Sequence, residues 1–253
     1  MSAPPLSPTP LSPDPVPISE DGPLAAPAPE LDPGRLTYES LLADREILAL
    51  VNASDAYLEG IGYTDHGLQH LGRVSARAYH LLEALEAPAR SRELAAISGL
   101  LHDIGNVVHR LNHAHHSALL AFQLLKERGL PTAEIAVVIG AIANHDDESG
   151  DPISEPSAAL IIADKSDVHR SRVRNPRMIS FDIHDRVNYA ATASRLEVDR
   201  ARHLITLDIE IDTQISQVME YFEIFMSRMR MCRRSANYLN CDFRLVMNDV
   251  QVL

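Results

Sequence analysis

The chain has 253 residues, 45% of them hydrophobic and 23% charged, with a formal net charge of −12. That length supports one good-sized domain plus a small appendage, with a core large enough to dispense with disulfide staples. The acidic balance weighs against duplex nucleic acid as a partner, because neutralising a phosphate backbone needs clustered Lys and Arg.

Only Lys126 and Lys165 are lysines, so nearly all the positive charge is arginine. Cys232 and Cys241 show no metal-type spacing and read as buried thiols in a reducing cytosol. No apolar run approaches the roughly 20 residues of a spanning helix. The N-terminus carries no basic stretch followed by an apolar one. A cytoplasmic location without a membrane partner is therefore expected.

In chain order, residues 1–34 hold most of the prolines, with serine, alanine and scattered acids. Such a segment buries too little apolar surface to offset its ordering entropy, and a disordered tail is predicted. Residues 35–176 read as a helical domain. Leu41, Leu42, Leu48 and Val51 recur at helix spacing, as do Leu71, Val74, Ala78, Leu81, Leu82 and Leu85. Further helices are predicted over about 91–108, over 117–128 with a stop at Gly129-Leu130-Pro131, over 132–144, and from Pro156 through Asp164. Residues 177–253 read as a small α+β unit. Strands are predicted over 187–198 and 203–211, with a turn near Asp199-Arg200, then a long helix over 212–239. A closing hairpin over Asn248-Asp249 completes the unit. It would pack on the helical part or serve as the surface of a homodimer.

The main chemical signal is histidine. Nine of the twelve lie between His66 and His145. His66 and His70 are four apart and share a helix face. His102 and Asp103 end an otherwise apolar helix, where a carboxylate is costly unless a partner or a metal compensates it. His113 begins a helix, His145 closes one, and Asp164 ends the apolar run Leu160-Ile161-Ile162-Ala163. Imidazole and carboxylate donors on separate helices suit a transition-metal centre better than calcium. His80, His169, His184 and His203 read as ordinary surface or satisfied core residues, while His109, His115 and His116 stay open.

Five blocks in order over about 60–170 resemble the HD superfamily of metal-dependent phosphohydrolases. They are Tyr63-Thr64-Asp65-His66-Gly67-Leu68-Gln69-His70, Gly99-Leu100-Leu101-His102-Asp103-Ile104-Gly105, His113 four before Ser117, Ile142-Ala143-Asn144-His145-Asp146, and Ala163-Asp164-Lys165. The C-terminal unit is similar to the tail of stand-alone prokaryotic HD proteins. The resemblance implies a mainly α fold, an HD-type helical bundle with a small C-terminal α+β unit. It implies one divalent ion held by His70, His102, Asp103 and Asp164, and a second held by His113 and His145 with Asp103 bridging. The ions would come from the set Mn, Fe, Mg, Zn, Co and Ni. The implied reaction is hydrolysis of a phosphoester of a small molecule, such as a nucleotide, by metal-activated water, with His66 as general acid. Many members carry Lys three residues after the motif Asp, where this chain has Asn106; Lys165 or an arginine is the candidate for that positive charge.

Arg170, Arg172 and Arg174 follow closely after Asp164, and arginine forks match phosphate geometry, so they are candidate substrate contacts. Two other readings share this ligand set. One is an HD-fold di-iron oxygenase; the other is a non-catalytic, metal-stabilised sensing module.

Overall fold

A computed structural model describes residues 15–19, 35–146, 150–175 and 183–253. The first layer is helical. It runs α1 (Tyr38–Leu42), α2 (Arg45–Gly60), α3 (Leu68–Ala84), α4 (Ala89–Leu101), α5 (His113–Glu127), α6 (Thr132–Ala143) and α7 (Glu155–Ser166). Helix α2 starts where Asp44 accepts hydrogen bonds from the Glu46 and Ile47 N–H groups, satisfying donors that have no partner within the helix. Helix α7 is buried on every side from Pro156 to Ala163, as befits a central helix with neighbours all round.

Two close approaches set the helix geometry. A Cβ on Gly99 of α4 would lie 2.7 Å from the Ser75 Cα of α3, so only glycine lets the two helices pack this tightly. The helix expected to reach Val108 instead stops at Leu101, and a 3-10 turn (Ile104–Val107) follows. A Cβ on Gly105 in that turn would lie 2.2 Å from the Ser117 backbone nitrogen. The Gly105 N–H donates to Ser117 Oγ at 2.8 Å, which pins the turn against the first turns of α5. Helix α5 begins at His113, where a helix start was expected, after Asn112 in the left-handed region at φ 60°, and runs on through the helix expected over 117–128.

The second layer follows α8 (Ile183–Ala190). It comprises β2 (Ala191–Asp199), β3 (Leu204–Ile211), α9 (Val218–Tyr238), β4 (Asp242–Met247) and β5 (Val250–Gln251). The sheet order is β1-β2-β3-β4-β5, with β1 (Val16–Pro17) on one edge. All neighbours are antiparallel except β3 and β4, which are parallel and joined by the α9 crossover. The turn over Asn248-Asp249 has φ 48° and 65°, the doubly left-handed form whose twist suits a two-residue hairpin.

Three expectations need correction. Residues 187–190, expected to open a strand over 187–198, instead close helix α8, because Val187 and Ala190, buried and three apart, follow helical rather than alternating spacing. Helix α9 starts at Val218 rather than 212, because the Gln217 and Glu220 side chains form a reciprocal cap there. Within the N-terminal 1–34 segment, Val16 and Pro17 pair with Val198 and Glu197, and the Ile18 N–H donates to the Leu196 carbonyl at 2.8 Å. An edge strand tolerates proline, and burying Ile18 in the core offsets the ordering cost. Residues 1–14 and 20–34 lie outside the described residues.

The interior holds two hydrophobic cores. One core joins Val74, Ala78, Leu81 and Leu82 of α3 and Leu160 and Ile162 of α7 to Leu196, Ile205, Leu207 and Leu245 of the sheet and Phe225 of α9. The other lies under α1, α2, α4, α5 and α6. The C-terminal unit is therefore packed on the helical layer rather than standing apart. Arg77, buried on α3, reinforces the seam by donating to Ser166 Oγ and to the Ser194 carbonyl, each at 2.9 Å. No helix among the described residues is long and apolar enough to cross a membrane.

Candidate metal centre

Five element ends converge between the helices. His70 comes from the first turn of α3. His102 and Asp103 end α4, His113 opens α5, His145 follows α6, and Asp164 lies near the end of α7. His70, His102, Asp103, His113 and His145 are all buried, and Asp164 is half-buried.

The two Asp103 oxygens face different imidazoles. Asp103 Oδ2 lies 3.3 Å from His102 Nε2 and 3.8 Å from His70 Nε2. Asp164 Oδ1 completes that group at 3.5 Å from His70 Nε2 and 3.8 Å from His102 Nε2. Asp103 Oδ1 lies 3.4 Å from His113 Nε2 and 3.9 Å from His145 Nε2, and those two nitrogens are 3.2 Å apart. Ligand bonds of about 2.0–2.2 Å place neighbouring donor atoms about 3–3.6 Å apart, so these spacings fit a metal shell with little adjustment.

The outer ring nitrogens fix which atom faces inward. His70 Nδ1 donates to Asp167 Oδ2 at 2.6 Å, His102 Nδ1 to the Gly99 carbonyl at 2.8 Å, and His145 Nδ1 to the Ile142 carbonyl at 2.6 Å. Each Nε2 therefore carries the lone pair a metal requires. His70 Nε2 and His102 Nε2 are buried with no hydrogen-bond partner, an expensive arrangement that a divalent ion would resolve. The donor set thus fits one or two divalent transition ions.

The electrostatics agree. Burial alone would raise the Asp103 carboxyl, but the imidazoles gathered around it, His102 first, outweigh burial and hold it well below the usual carboxylate range. Burial likewise opposes ionisation of Asp164, and the Lys165 ammonium beside it outweighs burial and holds the carboxyl well below the usual range. Burial pushes His145 well below the usual imidazole value, helped by His102 and His113. The carboxylates are ionised and His145 is neutral, the states in which they can bind metal.

A cavity of about 660 Å³ opens over this floor. Its wall includes Tyr63, His66, Arg110, Asp146, Arg172 and Arg228. His66 donates from Nδ1 to the Thr64 carbonyl at 2.7 Å, and its ring stacks edge-on to His70 at 5.5 Å. Burial, with the Arg172 charge, pushes its pKa well down, so the ring is neutral.

Residues 67–169 match the family model of the HD domain. The chain carries an HD domain over those residues. It is similar to an uncharacterized protein, MJ1020, of Methanocaldococcus jannaschii, 26% identical over 213 residues, which are 75% of this chain and 80% of that one. It is also similar to the crystal structure of a predicted HD superfamily hydrolase from an uncultured Thermotogales bacterium. That match is 29% identical and covers 49% of this chain and 68% of the other, with a TM-score of 0.40.

The HD domain brings together His66, His70, His102, Asp103, His113, His145 and Asp164 from the sequence-derived set. Lys165 sits behind them: its Nζ holds Asp164 Oδ2 at 2.9 Å, leaving Oδ1 toward the imidazoles, and it does not line the cavity. Of the three arginines, Arg172 alone reaches the cavity wall, with donors on the Asp65 and Asp167 carbonyls. Arg174 pairs with Asp55 and donates to the Tyr63 carbonyl at 3.2 Å, while Arg170 lies over the Tyr189 ring. Both are outside the cavity wall: the 3-10 turn Arg170–Arg172 points Arg170 and Arg172 in different directions, and Arg174 lies beyond that turn, engaged with Asp55 and Tyr63.

Several functional neighbours escaped the sequence reading. Asp167 anchors His70; it could have been noticed as a second carboxylate within one turn of Asp164. Arg110 carries no motif signal. His184, Asp185 and Asn188 of α8 and Arg228 of α9 also line the cavity, so the C-terminal unit forms part of the HD-domain site. His184, expected as an ordinary surface or satisfied core residue, is exposed and lies on the cavity wall.

Proposed function

We propose that this protein is a metal-dependent phosphohydrolase that cleaves a phosphoester of a small molecule, a nucleotide being the favoured class. The observation that carries the reading is the shared Asp103 carboxylate, one oxygen facing His70 and His102 and the other facing His113 and His145. Divalent ions held there would supply an activated water and Lewis acidity toward the phosphoryl oxygens.

The chain's own groups do the rest. His70, His102, Asp103 and Asp164 hold one position, His113 and His145 the other. The guanidinium groups of Arg110, Arg172 and Arg228 give the wall the charge that an anionic ester needs, despite the acidic chain. His66 offers the Nε2 lone pair. A bound phosphate dianion nearby raises its proton affinity, which loads the ring to protonate the leaving oxygen. The cavity volume lies within the usual range for small-molecule sites, which suits a substrate of nucleotide size.

The test compares metal content and Mn-supported phosphoester cleavage in wild type and Asp103→Ala. The expected result is about two metal equivalents in wild type, most of them lost in the variant, with activity reduced by about a thousandfold or more. A protein that takes up iron, shows a visible absorption band and consumes oxygen without releasing phosphate would overturn the proposal.

A further inference from the structure

We infer that Arg110 is the principal phosphate-binding side chain of this site, and that Asn106 is the positioning residue that aims it; this rests on the phosphohydrolase reading above. Asn106 is fully buried, three residues after Asp103. Its amide nitrogen donates to the Asp103 carbonyl at 2.9 Å and to Asp103 Oδ1 at 3.0 Å. Both amide hydrogens are thereby used. Turning the amide over would set its oxygen against two other oxygens, so the group has one orientation. Its oxygen must then face away from the metal centre, where it accepts from Arg110 Nη1 at 3.2 Å. The amide thus links the Asp103 carboxylate, on the side of His113 and His145, to a guanidinium on the cavity wall.

The rest of Arg110 is placed for a ligand. Its guanidinium lies 5.1 Å from the centre of the Tyr63 ring, a second support that keeps the plane of the fork fixed. No carboxylate among the described residues pairs with it. Arg174, by contrast, is paired with Asp55, and Arg172 is buried with its donors on backbone carbonyls. Arg110 uses one of its five N–H groups on Asn106, which leaves a planar pair of donors for two phosphoryl oxygens. A lysine at position 106 would put its charge directly beside Asp103. Asparagine moves the charge outward by the length of one amide, so in this chain it meets the substrate's phosphate rather than the bridging carboxylate.

The experiment measures metal equivalents per chain, and the affinity of inorganic phosphate for the full-length Mn-loaded protein by calorimetry. Wild type, Arg110→Ala, Arg110→Lys, Asn106→Ala and the Arg110→Ala/Asn106→Ala double variant are compared. Arg110→Ala should keep the wild-type metal content and weaken phosphate binding by about tenfold or more, with Arg110→Lys in between because it keeps charge but loses the fork. The double variant should bind phosphate no more weakly than the worse single variant, because the two residues act as one unit. Metal-loaded wild type that binds no phosphate would break the phosphohydrolase reading itself. Wild type that binds phosphate with Arg110→Ala within about twofold of it would overturn the role of Arg110 alone, and fully additive losses would overturn the link through Asn106.

Discussion

The floor of the cavity and its mouth are built on opposite principles. On the floor, His70, His102 and His145 stand at helix ends, buried, with the outer nitrogen of each tied to a carboxylate or a backbone carbonyl. At the mouth, Tyr63, His109 and His184 are exposed and Arg110 is half-buried, on turns and on the C-terminal unit. The floor trades freedom for fixed ligand geometry, since a metal shell tolerates only small displacements. The mouth offers charge and reach, which the proposed anionic ester, arriving from water, would need. The division matches the two cores: the floor is gripped from both sides, while the mouth lies where the helical layer meets α8 and α9.

The largest effect that would sharpen this contrast is on the floor, one step from the metal. Asp167 is buried, holds His70 Nδ1, and is gripped by Arg73 Nε at 3.0 Å. Burial opposes its ionisation, yet the His70 hydrogen bond and the Arg172 charge hold its carboxyl far below the usual range. Asp167→Asn keeps the shape and removes the charge. Metal affinity should fall about 10- to 100-fold in a chelator-competition titration, because His70 loses both basicity and orientation. Unchanged affinity would mean that the floor does not depend on its outer anchors, and the contrast with the mouth would collapse.

The two regions were also unequally legible in the sequence. The floor announced itself because polar residues interrupt apolar runs: His102-Asp103 after Leu94–Leu101, and Asp164 after Leu160–Ala163. Burial of such groups demands an explanation, and spacing along the chain supplies one. The mouth gave no comparable signal. Arg110 is an arginine in a polar turn, and its role depends on the amide orientation of Asn106 four residues away. Arg170, Arg172 and Arg174 looked alike as a charge run, yet of the three only Arg172 reaches the cavity wall. The contribution of α8 was lost because its β-branched and aromatic residues suggested a strand, although tertiary packing selects a helix there. The C-terminal unit was correctly ordered as β-β-α-β-β, but periodicity could not say that its inner face closes the same core as α3 and α7.

A smaller effect separates stability from metal binding. Asp44 caps α2 on the side of the molecule that takes no part in the centre. Its carboxyl is lowered from its ordinary 3.8 to about 2, chiefly by the hydrogen bond from Arg128. A carboxyl lowered by folding stabilises the fold above its unfolded value, and that stability is lost as pH falls through its folded one. Asp44→Ala should therefore cost about 1 kcal/mol in urea unfolding near neutral pH. The gap to wild type should close as pH drops from about 4 toward about 2. Metal content at neutral pH should stay at the wild-type level; a parallel loss of metal would mean that the floor is not insulated from the outer helices.

The smallest effect tests the edge of the mouth. Arg174 pairs with Asp55, approaches Asp65 Oδ1 at 3.9 Å, and donates to the Tyr63 carbonyl, so its donors serve the loop before α3 rather than the cavity. As an ion pair open to solvent it contributes at most about 1 kcal/mol to stability. Arg174→Ala should leave the affinity of the Mn-loaded protein for inorganic phosphate within about twofold of wild type, against the much larger loss expected for Arg110→Ala. The comparison is informative because Tyr63 touches both arginines, through its carbonyl for Arg174 and its ring for Arg110. If removing Arg174 weakened phosphate binding as much as removing Arg110, the loop would be acting as a unit and the guanidinium at 110 would have no privileged place. If phosphate binding held, the anion would be recognised by the one arginine that is tied, through a single amide, to the carboxylate shared by the two metal positions.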